Sequence, residues 1–373
     1  MRIRAAVAEG QSEPLVIHEL ELDEPKDDEV LVRLVATGIC QTDAHAWHQR
    51  IPVGLPHVLG HEGAGVVEKV GKSVDDVQPG DHVVLSFQSC GRCEPCLEGH
   101  PAYCDQAFTA NFSGARLDGS RGIRRISTKD GETTELNGHF FGQSSFATHA
   151  LTSVSNTVKV PKDAPLELLA PLGCGLQTGA GAVMNSFSLP AGASIAVLGV
   201  GAVGFGALMA ARVACAAKII AVDVHAERLT LAKELGATHT IDVRQGDVTA
   251  AIREIAPRGV DFVLDTTGRP EMLSHAVASL ASMGQVGLVA GGSPEAAVPA
   301  AELALGKSVA GIVQGDAVPQ RFIPQLVELF QAGRFPVDRL VRFYDFEDIN
   351  AAFDDAARGE VVKPVLRFAS PVS

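Results

Sequence analysis

The sequence predicts an α/β protein in two parts, a β-rich region and a doubly wound parallel sheet. Three observations carry this. The chain has 373 residues, more than one ordinary core organises. Strand-like and helix-like runs alternate from residue 195 onward, as βα units do. Earlier in the chain, short strand-like runs are separated by glycine and proline turns.

In the N-terminal region, "DEVLVRLVATGIC", "GAGVVEKVGKSV" and "GDHVVLSF" are strand-like runs rich in β-branched residues. The parallel part opens with Ile195 to Leu198, a short buried strand. Gly199-x-Gly201-x-x-Gly204 follows at once, Val203 to Ala214 reads as a helix, and Ile219 to Val222 is a second strand ended by Asp223. "VDFVLDTTG" from Val260 is a strand and its turn, and "PEMLSHAVASLA" a helix. "GQVGLVAGG" from Gly284 and "SVAGIVQG" from Ser308 are the last two strands. No charged residue occurs between Glu167 and Arg212. Glycine turns, Gln177, Asn185 and Pro190 break that stretch, so it predicts a buried strand and helix rather than a membrane span.

A formal net charge of −13 argues against nucleic acid and against an anionic membrane surface as partners. The first residues, "MRIRAAVAEGQSEPLVIHEL", contain no apolar signal core, which leaves the cytoplasm as the expected location. Disulfides are rare there, so clustered cysteines point to metal. Cys90-x2-Cys93-x2-Cys96-x7-Cys104 brings four thiolates within reach of one ion. A zinc so held is saturated and therefore structural. An iron–sulfur cluster and a disulfide pair are the rival readings of that spacing.

Of the other cysteines, Cys215 lies in "AARVACAAKIIAV" and is expected in the core. Cys40 in "ATGICQTDAH", His61 and Glu62 in "LGHEGAGVV", and Cys174 in "APLGCGLQTGAGA" have more telling surroundings. A Cys, His, Cys set suits a catalytic zinc that keeps one position open, where it acts as a Lewis acid. The glycine turn suits a dinucleotide: its glycines admit the pyrophosphate, and Asp223, 19 residues after Gly204, accepts from the adenosine ribose. That acid repels a 2′-phosphate, favouring NAD over NADP.

Taken jointly, "GHEGAGVV", the four-cysteine lobe, "GCG" at 173–175, "GVGAVG" and Asp223 identify the chain as similar to the zinc-dependent medium-chain alcohol dehydrogenases. The resemblance implies a GroES-like β-rich catalytic domain, residues 1–170 and 314–373, and a Rossmann NAD-binding domain, residues 171–313. The active site would lie in the cleft between them. It implies two Zn2+ per subunit: one held by Cys40, His61 and Cys174, with Glu62 either beside the ligands or a transient ligand itself, and one by Cys90, Cys93, Cys96 and Cys104. Asp43 would orient His61. Thr42 would begin a proton relay that runs through the nicotinamide ribose to His45. Arg228 would stand near the adenosine ribose, Lys363 near the pyrophosphate, and Thr178 and Val203 against the nicotinamide. Gln41 stands where other members have a basic residue, which would weaken the pyrophosphate grip and quicken NADH release.

"NFSGA" at 111–115 and "HFFGQSSFATHA" at 139–150 resemble the aryl and terpenoid alcohol branch, which includes benzyl alcohol and geraniol dehydrogenases. Trp47, Phe87 and Phe141 match positions lining the substrate channel; each is equally compatible with packing in the core. Three other functions compete. A general aliphatic alcohol dehydrogenase keeps the same chemistry. A glutathione-dependent formaldehyde dehydrogenase needs basic residues, for which Arg116, Arg121, Arg124 and Arg125 are available. A non-catalytic zinc and NAD-binding protein predicts a broken donor set, whereas here the set is complete. The family forms dimers and tetramers, and an apolar edge strand at "SVAGIVQG" fits a homo-oligomer.

Overall fold

The computed structural model describes residues 1–126, 132–290 and 296–369. The chain divides into two compact units. One comprises Met1–Cys174, Val318–Gln331 and Val337–Ser373; the other comprises Gly175–Ala317 and Ala332–Pro336. The chain leaves the first unit after Cys174 instead of residue 170, and returns after Ala317 instead of residue 313.

The first unit holds two sheets. A five-stranded sheet runs, in spatial order, His57–Val58, Arg2–Ala8, Val16–Leu22, Ile123–Ile126 and Thr133–Leu136. A seven-stranded sheet has Glu29–Gly38 near its centre, with Gly63–Val70 and then His82–Leu85 on one side and Lys363–Arg367 on the other. The central strand "EVLVRLVATG" is almost wholly buried, as its β-branched content favours. Its register aligns three strand ends: Thr37 pairs with Gly63, and Gly38 pairs with Val365. Cys40, His61, Glu62 and Lys363 lie at or just beyond those ends. Arg116 clamps the loop after the cysteine lobe onto this strand: its Nε and Nη2 donate to Glu29 at 2.5 and 3.1 Å, with both side chains buried.

Two histidines of this unit make its stability acid-sensitive. His57 donates from Nδ1 to Gly54 O at 2.9 Å, while the buried Nε2 atoms of His57 and His139 have no hydrogen-bond partner among the described residues. Burial drives His57 down to about 4 and His139 down to about 3. Both are neutral in the fold, but the unfolded chain takes up protons below about pH 6.5. Stability therefore falls as pH drops through that window, by about 3 kcal/mol from His57 alone at pH 4. Denaturation midpoints measured between pH 7 and pH 4.5 should fall less steeply in His139→Asn, since Asn tolerates the left-handed backbone of that position. Equal slopes would assign the acid lability elsewhere.

The second unit is a six-stranded, all-parallel sheet in the order His239–Asp242, Lys218–Asp223, Ser194–Leu198, Val260–Asp265, Leu280–Leu288, Ser308–Gly311. The order reverses between Ser194–Leu198 and Val260–Asp265, the switch point where doubly wound sheets bind ligands. The helix expected over "PEMLSHAVASLA" ends at Ala278, because Leu280 already begins the next strand. Gly291 and Gly292, the end of "GQVGLVAGG", lie outside the described residues. The last strand stops at Gly311, and Gln314 and Gly315 turn away through left-handed conformations. Cys215 is exposed, contrary to the expected core position. The helix Ala202–Val213 must reverse before strand Lys218–Asp223, and Cys215 makes that turn at φ 61°. Among the described residues no helix is long and apolar enough to cross a membrane.

Candidate active site

The strand Glu29–Gly38 delivers Cys40 to the cap of a short helix, Gln41–Trp47. Asp43 on that helix is fully buried and ties the helix cap to the segment 60–61 through three hydrogen bonds. Its Oδ2 accepts from Cys40 N at 3.0 Å; its Oδ1 accepts from Gly60 N at 3.1 Å and from His61 Nδ1 at 2.8 Å. The last bond fixes the tautomer: with the proton on Nδ1, Nε2 presents a lone pair. Cys174 follows Gly173, whose carbonyl accepts from Ser86 Oγ at 2.7 Å beside the strand His82–Leu85. The ligand atoms of Cys40, His61, Glu62 and Cys174 all lie within 4.8 Å of one another.

This donor set fits zinc. His61 Nε2 is buried with no hydrogen-bond partner among the described residues, which costs free energy unless a cation takes its lone pair. The thiols share a proton: the hydrogen bond from Cys174 holds Cys40 well below its ordinary value against the cost of burial. The same bond, with burial, lifts Cys174 well above its ordinary value. Burial opposes charge on His61, but Asp43 and the Cys40 thiolate outweigh it and raise that imidazole. An ion that replaces those protons removes the conflict.

Glu62 is fully buried, and burial pushes its carboxyl up to about 7 while Lys363 pulls it back. Lys363 Nζ donates to Glu62 Oε1 at 3.0 Å, Glu62 Oε2 at 2.9 Å and Ile39 O at 2.9 Å. An ammonium has three N–H groups, and these acceptors use all of them. Burial works against the Lys363 charge, and the Glu62 carboxylate overrides it, so the ammonium is held protonated. Lys363 is expected near the pyrophosphate from the resemblance; here its ammonium is bonded to Glu62 and Ile39.

The cysteine lobe fits a single tetrahedral ion. Its four sulfurs lie within 4.8 Å of one another, and Cys93 Sγ stands 3.8 Å from Cys104 Sγ. A tetrahedron built on Zn–S bonds of about 2.3 Å has edges of about 3.8 Å. A disulfide is excluded, since its sulfurs stand at about 2.05 Å. Backbone amides of Cys90, Asp105 and Gln106 donate to these sulfurs, as thiolates require. The Arg92 amide leads in bringing Cys90 down to about 6, whereas burial pushes Cys104 up to about 12.

In the second unit the glycine turn has the shape that a phosphate-binding turn needs. Gly199 adopts φ 86°, a Cβ at Gly204 would overlap Gly199 O, and a Cβ at Gly201 would point into open space. Gly201 caps the helix Ala202–Val213, and the first amides of a helix are a general site for an anion. Asp223 Oδ2 accepts from Val200 N at 2.6 Å, and Oδ1 from Val224 N and His225 N at 2.8 and 2.9 Å. The acid thus also braces the glycine turn. Val203 lies in the first turn of that helix, Thr178 is buried in the helix Gly175–Gly181, and Arg228 is half-buried on the helix Ala226–Leu235.

Thr42 and His45 sit three residues apart on the helix Gln41–Trp47, on one face of it, and Gln41 is exposed at its start. Cys40 Sγ stands 3.8 Å from Thr42 Oγ1. Burial, together with the nearby Arg50 charge, lowers His45 from its ordinary value. Trp47, Phe87 and Phe141 are all buried in one apolar cluster. Trp47 packs on Phe353 and donates to Glu13 O, whereas Phe141 stacks on His61 with ring centres 4.4 Å apart. Phe141 reaches that place through a left-handed backbone, φ 53°, a strained conformation for an aromatic residue.

One residue within "FFGQSSF" had no assigned role in the sequence. Gln143 accepts from Gly63 N and donates to His61 O and Ser86 O, joining both sides of the donor set. Only its place beside the aromatic pair in that stretch signals it.

Comparison with known proteins matches this geometry. Residues 26–162 match the alcohol dehydrogenase GroES-like domain, and residues 202–332 the zinc-binding dehydrogenase family. The chain is 46% identical to geraniol dehydrogenase of Castellaniella defragrans, over 98% of this chain and 97% of that one. Two solved structures superpose closely. An alcohol dehydrogenase zinc-binding domain protein from Burkholderia ambifaria has 51% identity and a TM-score of 0.95; the match covers 99% of this chain and all of that one. Benzyl alcohol dehydrogenase from Acinetobacter calcoaceticus has 46% identity and a TM-score of 0.94, with the same coverage. The chain belongs to the zinc-dependent medium-chain alcohol dehydrogenase family.

Proposed function

We propose that this dehydrogenase oxidises primary alcohols whose carbinol carbon adjoins a π-system, benzyl or allylic terpenoid, reversibly to aldehydes with NAD. The observation that carries the substrate class is the aromatic wall beside the donor set. Phe141 lies on the His61 ring, Phe112 stands edge-on to both Phe140 and Phe141, and Phe108 stacks on Phe112. A flat or prenyl substrate gains contact area there that a two-carbon alcohol cannot. The similarity to geraniol and benzyl alcohol dehydrogenases supports the same class.

Zinc held by Cys40, His61 and Cys174 would polarise the alcohol oxygen, and NAD would take the hydride. The chain supplies the rest. Asp43 keeps the His61 tautomer, Thr42 and His45 offer a hydroxyl and an imidazole to carry the proton outward, and the phenylalanines exclude water. Asp223 accepts ribose hydroxyls and disfavours a 2′-phosphate.

Glutathione adducts suit this unit less well, because the arginines that could hold them already face acids. Arg116 is paired with Glu29, Arg124 with Asp23 and Arg125 with Glu9, and Arg121 stands 3.9 Å from Glu135. The reading includes self-association in the cytoplasm, as dimer or tetramer. The strand Ser308–Gly311 is an exposed sheet edge, with exposed Leu305 and Met283 adjoining it.

The test is NADH formation from benzyl alcohol, geraniol and ethanol at equal enzyme. We expect kcat/KM for the first two to exceed that for ethanol by about 100-fold, the scale on which lost apolar contacts discriminate. A preference for ethanol would retire the substrate class and leave the hydride chemistry standing.

A further inference from the structure

The two donor clusters of this chain pose one question. Each offers four protein ligand atoms within 4.8 Å. Four ligands saturate a tetrahedral zinc, and a catalytic zinc needs an open position. Something must keep the fourth donor of the Cys40, His61, Glu62, Cys174 set from closing the site. That donor is Glu62, the only carboxylate of the set, and its two oxygens are the acceptors of the Lys363 ammonium.

Lys363 is well placed to hold it. Its side chain is 2% exposed, and it arrives on the strand Lys363–Arg367, which pairs with Glu29–Gly38 beside the donor set. The third N–H goes to Ile39 O, one residue before the ligand Cys40, so the ammonium is fixed to the backbone that carries the site. Gly38 completes the seat: a Cβ there would overlap Glu62 Oε2, so the carboxylate rests where any side chain at position 38 would displace it. A buried carboxylate seeks a cation. Here the Lys363 ammonium stands on both oxygens of Glu62, and a metal held by the set would compete for them.

We propose that Lys363, with the space left by Gly38, is a latch that holds Glu62 off the metal and keeps the fourth coordination position open. The inference rests on the zinc reading above and deepens it. Lys363 is a positioning residue that acts through Glu62. Removing the ammonium takes away the two hydrogen bonds that seat Glu62, and the carboxylate moves onto the metal.

The test reads the metal directly, with no alcohol present. Zn2+ release to a chromophoric chelator is followed in wild type, Lys363→Met, Lys363→Arg and Gly38→Ala, using Cys174→Ala to identify the release phase that belongs to this site. Co2+-substituted protein is titrated with imidazole, which perturbs the visible spectrum only where a coordination position is open. In Lys363→Met we expect that release phase to slow about tenfold and the imidazole response to vanish, the scale on which neighbouring groups tune metal affinity. Gly38→Ala should shift both readouts in the same direction, and Lys363→Arg should resemble wild type. The double variant Lys363→Met/Glu62→Leu, an apolar replacement of the pair, should fold and recover the imidazole response. If Lys363→Met, or Gly38→Ala where the former fails to fold, keeps wild-type release and a full imidazole response, the latch is overturned. Silence of the wild type toward aromatic alcohols bears on the substrate class alone, since neither readout uses one.

Discussion

Cys174→Ala is expected to abolish alcohol oxidation, by at least about 10⁴-fold, while NAD binding measured by protein fluorescence stays within about twofold. The first figure follows from the donor set. Removing Cys174 leaves Cys40 and His61, with Glu62 bonded to Lys363, and two protein ligands do not retain a catalytic zinc. What goes with the metal is the polarisation of the alcohol oxygen, the largest single contribution to such chemistry. The second figure follows from placement. The glycine turn, the helix Ala202–Val213 and Asp223 belong to the other unit, and their hydrogen bonds are made within it. Metal analysis should show one zinc per chain lost and one kept. Normal turnover in this variant would remove Cys174 from the site. Turnover lost together with NAD affinity would mean a general collapse instead.

Much of this site was legible because its signals are local. The step from Gly199 through Gly204 to Asp223 is a spacing along one βαβ unit, and it reads directly as strand, turn, helix and strand. The cysteine lobe is similar, with four candidate ligands inside fifteen consecutive residues. Lys363 was legible as basic but not in its partner. It meets Glu62 across 301 residues, through the pairing of the last strand with the third, and nothing in "VVKPVLRF" reveals that register. Cys215 failed for the opposite reason. Its apolar neighbours continue the helical pattern, but the chain must reverse to reach the strand Lys218–Asp223, and the reversal exposes it. Gln143 carries three hydrogen bonds that only the folded loop brings together. Sequence spacing finds chemistry held by one segment; contacts made by sheet closure need the fold.

The cysteine lobe supports the second large prediction, which separates the two metal sites. Cys93→Ser should lower the thermal midpoint by about 5–10 °C and open residues 90–112 to limited proteolysis. Metal binding to a closed cysteine site is folding free energy, and it is lost with the ligand. The lobe has little else to hold it. Its helix Glu94–Leu97 contains no buried residue, and Leu97 and Phe108 are exposed. The loss stays local at first, because the sheets of this unit have their own buried clusters. It still reaches the other site. Phe112, at the end of the helix that follows the lobe, stands against Phe140 and Phe141, and Phe141 lies on His61. Activity should therefore decay as the lobe opens, in step with proteolytic sensitivity, and the freshly purified folded fraction should keep kcat within about threefold of wild type. A variant that kept its thermal midpoint and lost only hydride transfer would show the two clusters to have exchanged roles. The geometry argues against that outcome: the sulfurs of Cys90, Cys93, Cys96 and Cys104 close a tetrahedron by themselves, whereas the other set has a carboxylate held back by a lysine.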